Sequence, residues 1–482
     1  MAQIFRKLIL ILGDLLCIQI ATFIAIYMQS DSMCSMQIDF HIRLTVLLSV
    51  FLIFFFNIHG LFSLIRKRLS EIFLNLVVAV GNIFIAAMAV TFFLRDFEYS
   101  RMVIIYSAVF GFMLLALWQY VMHQIEVNHL PIPTVFVAAD SEEQEKLKTK
   151  IRKTYGLEKS NLKFISTDNN GNNTNINLNN RSNNENNNVS NKDNNNNNNN
   201  TGNTGKNIFN TDINETDTIK QIEACDIVLI GESLSVEIKE HILRLANKKK
   251  KMVILVPTLY EISCSKMYLW QIDDLPTQRV SRMLLTLEQR ILKRTLDIVV
   301  SVIALILLSP VMLVTAVIVK LDSPGPIIYS QVRVGRFGKE FKVHKIRSMR
   351  QDAEAKTGPV LAGENDPRIT KFGRFMRATR LDELPQLINV LKGEMSIVGP
   401  RPERPFFVEQ FIKEKPEYAY RHNVKPGITG LAQIAGKYNT TAYDKLVYDL
   451  IYIQNVSITY DLTLMLQTLK VLITKESTEG VK

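Results

Sequence analysis

The chain has 482 residues, enough for about three domains at ~150 residues each, and 47% of them are hydrophobic. Fifty-seven Lys and Arg against 46 Asp and Glu leave a formal net charge of +11, which favours anionic partners. The apolar residues come in blocks, which favours phospholipid and phosphate substrates over nucleic acid, and the spacing of Cys17, Cys34, Cys225 and Cys264 indicates neither a zinc site nor a disulfide framework.

Four apolar segments open the chain, about Leu8–Met28, Leu44–Phe62, Ile72–Leu94 and Met102–Met122. Each approaches the ~20 residues a helix needs to cross a bilayer, so residues 1–125 read as a four-span bundle. Arg6-Lys7 precede the first segment and Arg66-Lys67-Arg68 separate the second from the third. The positive-inside rule therefore puts both ends of the block in the cytoplasm. Asp14, Asn57 and His59 interrupt the spans near their ends, where snorkelling or helix–helix hydrogen bonds explain them better than a site.

Residues 131–275 read as a soluble α/β domain. Strands at Thr134–Ala139, Leu162–Ser166, Asp226–Gly231 and Lys251–Pro257 alternate with helices at Ser141–Arg152 and Val236–Ala246. Such alternation predicts a parallel, Rossmann-like sheet. The first strand is followed by Ala-Ala-Asp-Ser and not by Gly-x-Gly-x-x-Gly, which argues against dinucleotide binding. An asparagine-dominated tract, 167–216, interrupts the domain and has too few apolar side chains to order.

Residues 285–475 form the third region. Lys293-Arg294 introduce the apolar run Thr295–Val319, whose middle holds Ser309-Pro310. Proline disfavours helix at and before itself, so a break is expected there. Basic residues at both ends keep both flanks in the cytoplasm, so the run (295–319) reads as a re-entrant membrane hairpin. The basic stretch from Arg333 to Arg350 then reads as a surface able to hold anionic headgroups, at about 1 kcal/mol per residue. Near the end, Ser457–Ile473 suits an interfacial helix and a core-facing one equally.

The richest stretch is Thr379–Pro402. Asp382 and Glu383 stand side by side before Pro385, ahead of the apolar positions Leu387, Ile388, Val390 and Leu391, and Lys392-Gly393 read as a helix stop. The carboxylates therefore belong at or just before a helix N-terminus. There they would hold a divalent cation against phosphate, with Arg374, Arg377, Arg380 and Arg401 close in sequence. For an isolated pair, a helix cap and a first-turn acid are the commoner reading.

From about Leu292 onward the chain resembles the bacterial monotopic phosphoglycosyl transferases, which are polyprenyl-phosphate sugar-1-phosphate transferases. The resemblance rests on Lys293-Arg294 ahead of Asp297, Ser309-Pro310, Asp322-Ser323-Pro324-Gly325-Pro326 and Lys345-Ile346-Arg347-Ser348-Met349. It continues through Asn365–Thr370, Leu381–Leu387, Val398–Pro402 and Lys425–Gly430. The front of the chain is similar to the large form of this family, with four membrane helices and a Rossmann-like domain before an α-rich catalytic domain. The asparagine tract departs from that form but lies outside the catalytic region.

The resemblance implies that Asp382 attacks the sugar-bearing phosphorus of a UDP-sugar and releases UMP. Undecaprenyl phosphate then takes the phosphosugar, at the start of exopolysaccharide, capsule or O-antigen-type assembly on the inner face of the cell membrane. Glucose or galactose phosphate is the commoner cargo of the large form. It also implies that Glu383 holds Mg²⁺. Arg401, stiffened by flanking prolines, is the first candidate to bind a phosphate; Arg368, Lys345 and Arg347 come second. Lys425-Pro426-Gly427 reads equally as a turn near the nucleotide and as a structural turn. A homodimer through the front domains is compatible with the sequence. The competing reading is a catalytically silent membrane scaffold of a polysaccharide-assembly complex, against which the intact Asp382, Glu383 and Arg401 count.

Overall fold

A computed structural model describes residues 2–29, 35–62, 69–93, 101–129, 134–155, 164–166, 215–272, 275–280, 283–350, 366, 368–436 and 440–473. The asparagine tract of the sequence lies outside the described residues. The chain divides into two compact units, one of residues 1–65, 69–123 and 258–482, the other of 66–68 and 124–257.

The first unit opens with four helices: α1 (Ala2–Gln29), α2 (Ser35–Ile58), α3 (Leu69–Phe93) and α4 (Arg101–His129). Leu44, Leu52, Phe56, Leu76, Ile104 and Leu115 form their buried interior, while Leu12, Ile85 and Leu117 are exposed. Stretches of α1, α3 and α4 are long and apolar enough to cross a membrane, and Ile42–Ile58 of α2 is a shorter apolar helix. The intramembrane polar residues bond between helices. Asp14 is buried and accepts from Gln119 Nε2, and His59 Nε2 lies 3.0 Å from Asn82 Nδ2. Asn57 is exposed.

The second unit holds β1 (Val135–Ala138), α5 (Ser141–Tyr155), β2 (Phe164–Ser166), α6 (Glu215–Ala224), β3 (Ile227–Ile230), α7 (Val236–Lys248) and β4 (Met252–Leu255). All strand pairs are parallel, in the order β2-β1-β3-β4. The two central strands are buried throughout, as their unbroken apolar runs require. The unit ends at Pro257, ahead of the boundary at 275 read from the sequence.

The first unit resumes with α8 (Leu259–Cys264), the antiparallel hairpin β5 (Met267–Ile272) and β6 (Leu275–Val280), and the long helix α9 (Leu287–Asp322). Thr286 and Gln289 close a capping box at the start of α9. The helix runs unbroken through Pro310, so the interruption expected at Ser309-Pro310 is absent from the backbone assignment. Proline removes one N–H there, and Ser309 Oγ donates to Ile306 O at 2.9 Å. Lys293, Asp297 and Ser301 near its start, and Thr315 and Val319 near its end, are buried. Its middle is bare, with Ile306 68%, Leu307 70% and Leu313 69% exposed.

After α9 come the antiparallel strands β7 (Ile328–Val334) and β8 (Glu340–Ile346), then α10 (Lys371–Thr379), α11 (Gln386–Lys392), β9 (Ser396–Val398), α12 (Pro405–Glu414) and β10 (Gly427–Thr429). Helices α13 (Leu431–Ala435), α14 (Ala442–Gln454) and α15 (Ile458–Ile473) complete the unit. Strand β10 pairs in parallel with β9. Val343, Leu387, Val390, Met395, Val398, Leu450 and Leu464 share one apolar core. Helix α15 turns Asp461 and Leu464 into this core, while its Gln467 donates to Ile58 O of α2. Ile458, Leu462 and Leu469 of the same helix are exposed, so one face of Ser457–Ile473 meets the core and another is left bare.

A buried network ties α9 to this core. Lys293 Nζ lies 2.6 Å from Asp461 Oδ2 and donates to Tyr452 Oη, and the Tyr452 hydroxyl donates to Asp461 Oδ1. Asp297 Oδ1 accepts from Ser396 Oγ and Ile397 N. Removing one member of a buried ion pair strands the other charge. Asp461→Ala should therefore destabilise the protein by about 3–5 kcal/mol, seen as a lowered melting temperature in detergent. An Asp297→Asn variant keeps the shape and should fall less.

Candidate active site

Asp382 and Glu383 occupy a single 3₁₀ turn, Leu381–Glu383, between α10 and α11. Thr370 caps α10 by accepting from Gly373 N. Arg380 follows the helix at φ 58°, a left-handed conformation that non-glycine residues rarely adopt away from functional or tightly constrained sites. The reversal turns both carboxylates inward, so Asp382 is 6% and Glu383 7% exposed. Pro385 sits at the N-cap of α11 and Gly393, at φ 86°, stops the helix, as its position in the sequence implied.

The two carboxylates differ in what neutralises them. Glu383 Oε1 accepts from Lys345 Nζ and from Arg401 Nη2, each at 2.8 Å, while Arg380 Nη1 stands 4.0 Å from Oε2. Burial pushes the Glu383 carboxyl up, yet Arg401, Lys345 and Arg380 together hold it well below the usual carboxylate range. Asp382 Oδ1 is buried with no hydrogen-bond partner. Burial raises the Asp382 carboxyl, Lys345 opposes that, and Glu383 adds to the rise. One acid is locked as an anion inside a cationic cage; its neighbour keeps an oxygen free.

Each cation is placed by its backbone. Lys345 lies two residues beyond the buried Val343 on β8, so strand alternation turns it to the same face. Arg401 stands between Pro400 and Pro402 in a loop pressed onto the segment before β10. A Cβ on Gly399 would meet Lys425 O at 2.5 Å, and one on Gly427 would meet Gly399 N at 2.1 Å. Only glycine permits that approach. Arg421 then fixes the loop by donating to Arg401 O at 3.0 Å. Its own guanidinium is held by Asp449 at 2.7 Å, and it donates to Tyr418 Oη, all of them buried.

Arg377 donates to Ser348 Oγ at 2.9 Å and its charge helps lower the Asp382 carboxyl, whereas the phosphate candidates Arg368 and Arg347 are engaged elsewhere. Arg368 makes a multiple hydrogen bond with its near neighbour Asp366, at 2.5 Å for Nη2 and 2.8 Å for Nε. Arg347 donates to Ser323 O and Pro324 O and so clamps the turn after α9. Sequence reading missed the Arg421–Asp449–Tyr418 support altogether, because nothing local marks residues that meet only through tertiary packing.

Asp382 and Glu383 offer only carboxylate oxygens, the donor type a hard divalent cation takes. Mg²⁺ is commonly held by one or two carboxylates, its remaining positions taken by water and substrate phosphate. Among the described residues no group of three or more His, Cys, Asp or Glu could form a closed metal cage. The residues present therefore fit a metal shared with a phosphate ligand.

A buried carboxylate pair ringed by Arg and Lys thus lies in the same unit as a long apolar helix. Residues 288–475 match the family described as bacterial sugar transferase. The chain is 44% identical over 207 residues to a UDP-N-acetylgalactosamine-undecaprenyl-phosphate N-acetylgalactosaminephosphotransferase of Aeromonas hydrophila, covering 42% of this chain and 49% of that one. It is 42% identical over 221 residues to a UDP-glucose:undecaprenyl-phosphate glucose-1-phosphate transferase of Escherichia coli strain K12, covering 45% and 47%. The matches thus span about half the length of these two relatives. With an exopolysaccharide production protein of Rhizobium leguminosarum it shares 43% identity over 189 residues, covering 37% of this chain and 93% of the relative. The chain belongs to the bacterial sugar transferase family.

The cage around Glu383 sets a pH signature. Its folded pKa lies below the unfolded value of ~4.3. The ion pairs therefore stabilise fully above that pH and are lost as pH falls through the folded value. Arg401→Met removes the largest counter-charge and lets burial raise Glu383. Melting temperatures followed across the acid range should begin to fall at a higher pH in the variant than in the wild type.

Proposed function

We propose that this chain transfers a sugar-1-phosphate from a UDP-sugar to undecaprenyl phosphate through a covalent aspartyl-phosphosugar intermediate. The observation that carries the proposal is the buried, unpartnered Oδ1 of Asp382 beside a fully neutralised Glu383. In the first step an Asp382 oxygen forms a bond to the sugar-bearing phosphorus. The bond to the bridging oxygen breaks, and UMP departs with that oxygen and its electron pair. In the second step a phosphate oxygen of the lipid acceptor attacks the same phosphorus and expels the Asp382 carboxylate. The product is the polyprenyl-diphospho-sugar and the enzyme is restored.

Arg401 and Arg380 face the charge that collects on the diphosphate, and Lys345 keeps Glu383 ionised beside it. Mg²⁺ held by Glu383 and Asp382 would mask phosphate charge and act as a Lewis acid. Among the sequence-named basic residues, Arg401 and Lys345 have direct support from position; Arg368 and Arg347 retain only an indirect, structural part.

The same reading places α9 as a re-entrant membrane element with the site on the cytoplasmic face. Both of its ends pack on one unit, through Lys293, Arg294 and Asp297 at the start and Val319 against Ile346 and Met376 at the end. Its apolar middle is bare. The packing of both ends on one unit supports a helix that bends at Pro310 and returns to the side it entered from, a course that keeps Asp382 near headgroup level. The parallel sheet of residues 124–257 supports a Rossmann-like reading of that unit. The names of the relatives support glucose-1-phosphate and N-acetylgalactosamine-1-phosphate as cargo to test first, with galactose-1-phosphate alongside.

Purified protein incubated with UDP-sugar and Mg²⁺ should gain the mass of one phosphosugar and release one UMP. Asp382→Asn should lower turnover by roughly 10³-fold or more and abolish the adduct. An Asp382→Asn protein of normal melting temperature and full turnover would refute the proposal.

A further inference from the structure

A second group of cations lies at the other end of α11, about 10 Å away by the ~1.5 Å rise of a seven-residue helix. Arg294 donates to Val390 O and Leu391 O, the last carbonyls of α11, at 2.6 and 2.7 Å. A Cβ on Gly393 would stand 3.5 Å from Lys425 Nζ and 3.6 Å from Arg294 Nη2. The two cations therefore flank a bare glycine corner. Lys425 is half-buried, and among the described residues its ammonium makes no hydrogen bond or ion pair. Burial lowers its ammonium, and Arg294, Arg336 and Lys293 lower it further, opposed by Asp297. That aspartate already accepts from Ser396 and Ile397, and Lys293 is paired with Asp461.

The fourth cation comes from the tip of the β7–β8 hairpin. Arg336 Nε is buried without a hydrogen-bond partner, and the guanidinium packs over Phe337 at 4.4 Å from the ring centroid. Phe337 holds φ 57° and is 58% exposed, an aromatic side chain offered to the surroundings by a strained tip. Arg290, one turn before Arg294 on α9, donates to Leu285 O at 3.1 Å, and its charge adds to the burial that lowers the Arg336 guanidinium. Leu287 and Ile291 on the same turns are 71% and 57% exposed, just ahead of the bare apolar middle of α9.

We propose that Arg290, Arg294, Arg336 and Lys425 bind the headgroup phosphate of an anionic phospholipid, with Phe337 and Leu287 dipping into the interface beside it. Four cations outnumber the one acid beside them, Asp297, which is turned to Ser396 and Ile397, and the surplus positive charge calls for an anion. The exposed apolar residues at the mouth of a membrane helix assign that anion to the bilayer. The site rests on the membrane placement of α9 and not on the chemistry at Asp382, so the two can fail separately.

The test uses the full chain in nanodiscs of phosphatidylcholine with and without phosphatidylglycerol, followed by native mass spectrometry after gentle detergent transfer. Wild type should retain a bound phosphatidylglycerol. Arg290→Gln/Arg336→Gln should retain it roughly ten- to thirty-fold less, with melting temperature and phosphosugar-adduct formation unchanged, and Arg290→Lys/Arg336→Lys should restore retention. Equal retention in the neutral variant overturns the site. So does displacement of the lipid by inorganic phosphate, which marks a site for free anions. A raised KM for the lipid acceptor with retention unchanged also overturns it, in favour of an acceptor subsite.

Discussion

The structure around the site depends on one shared carboxylate. Glu383 Oε1 takes hydrogen bonds from Lys345 and Arg401 at the same distance, 2.8 Å, and so ties β8, the turn before α11 and the proline-flanked loop to a single atom. Two adjacent buried acids would otherwise repel each other and take up protons. By committing one of them to cations, the fold lets the other stay buried with an oxygen that bonds to nothing. A buried, unmatched polar atom is costly, and it persists because the surrounding backbone determines its position. The left-handed Arg380, the Gly399–Gly427 contact and the Arg421–Asp449 support all serve that placement.

Much of this was legible in the chain. The acid pair, Pro385, the Gly393 stop and Arg401 all stand within one stretch, so local rules of helix capping and proline stiffening were enough to group them. The four apolar segments of the front bundle and the alternating strands of the second unit were equally plain, because hydrophobic blocks and buried strands are local signals. Lys345 could be suspected only as one of a run of basic residues. Strand alternation on β8 separates it from its neighbours, sending Lys345 to the dyad, while Arg347 beyond the strand reaches the turn after α9.

Other features were out of reach. Arg421, Asp449 and Tyr418 lie far along the chain from Arg401 and meet its loop only through packing of the core. The division of the basic stretch into a lysine paired with Glu383, a turn clamp and a hairpin tip also depends on tertiary contacts. Proline at 310 illustrates a softer outcome than a break, since the long apolar helix carries one missing N–H and stays helical through it. Arg368 likewise looked free in sequence and is bound to Asp366 two residues away.

The central claim is that Asp382, and not its caged neighbour, forms the covalent bond to phosphorus. Acid quenching after addition of UDP-sugar, followed by borohydride reduction of the acyl phosphate and peptide mass spectrometry, reads that bond directly. The account predicts homoserine at position 382 with Glu383 unmodified. Modification at Glu383, or an unmodified peptide from a protein that is turning over, would contradict it.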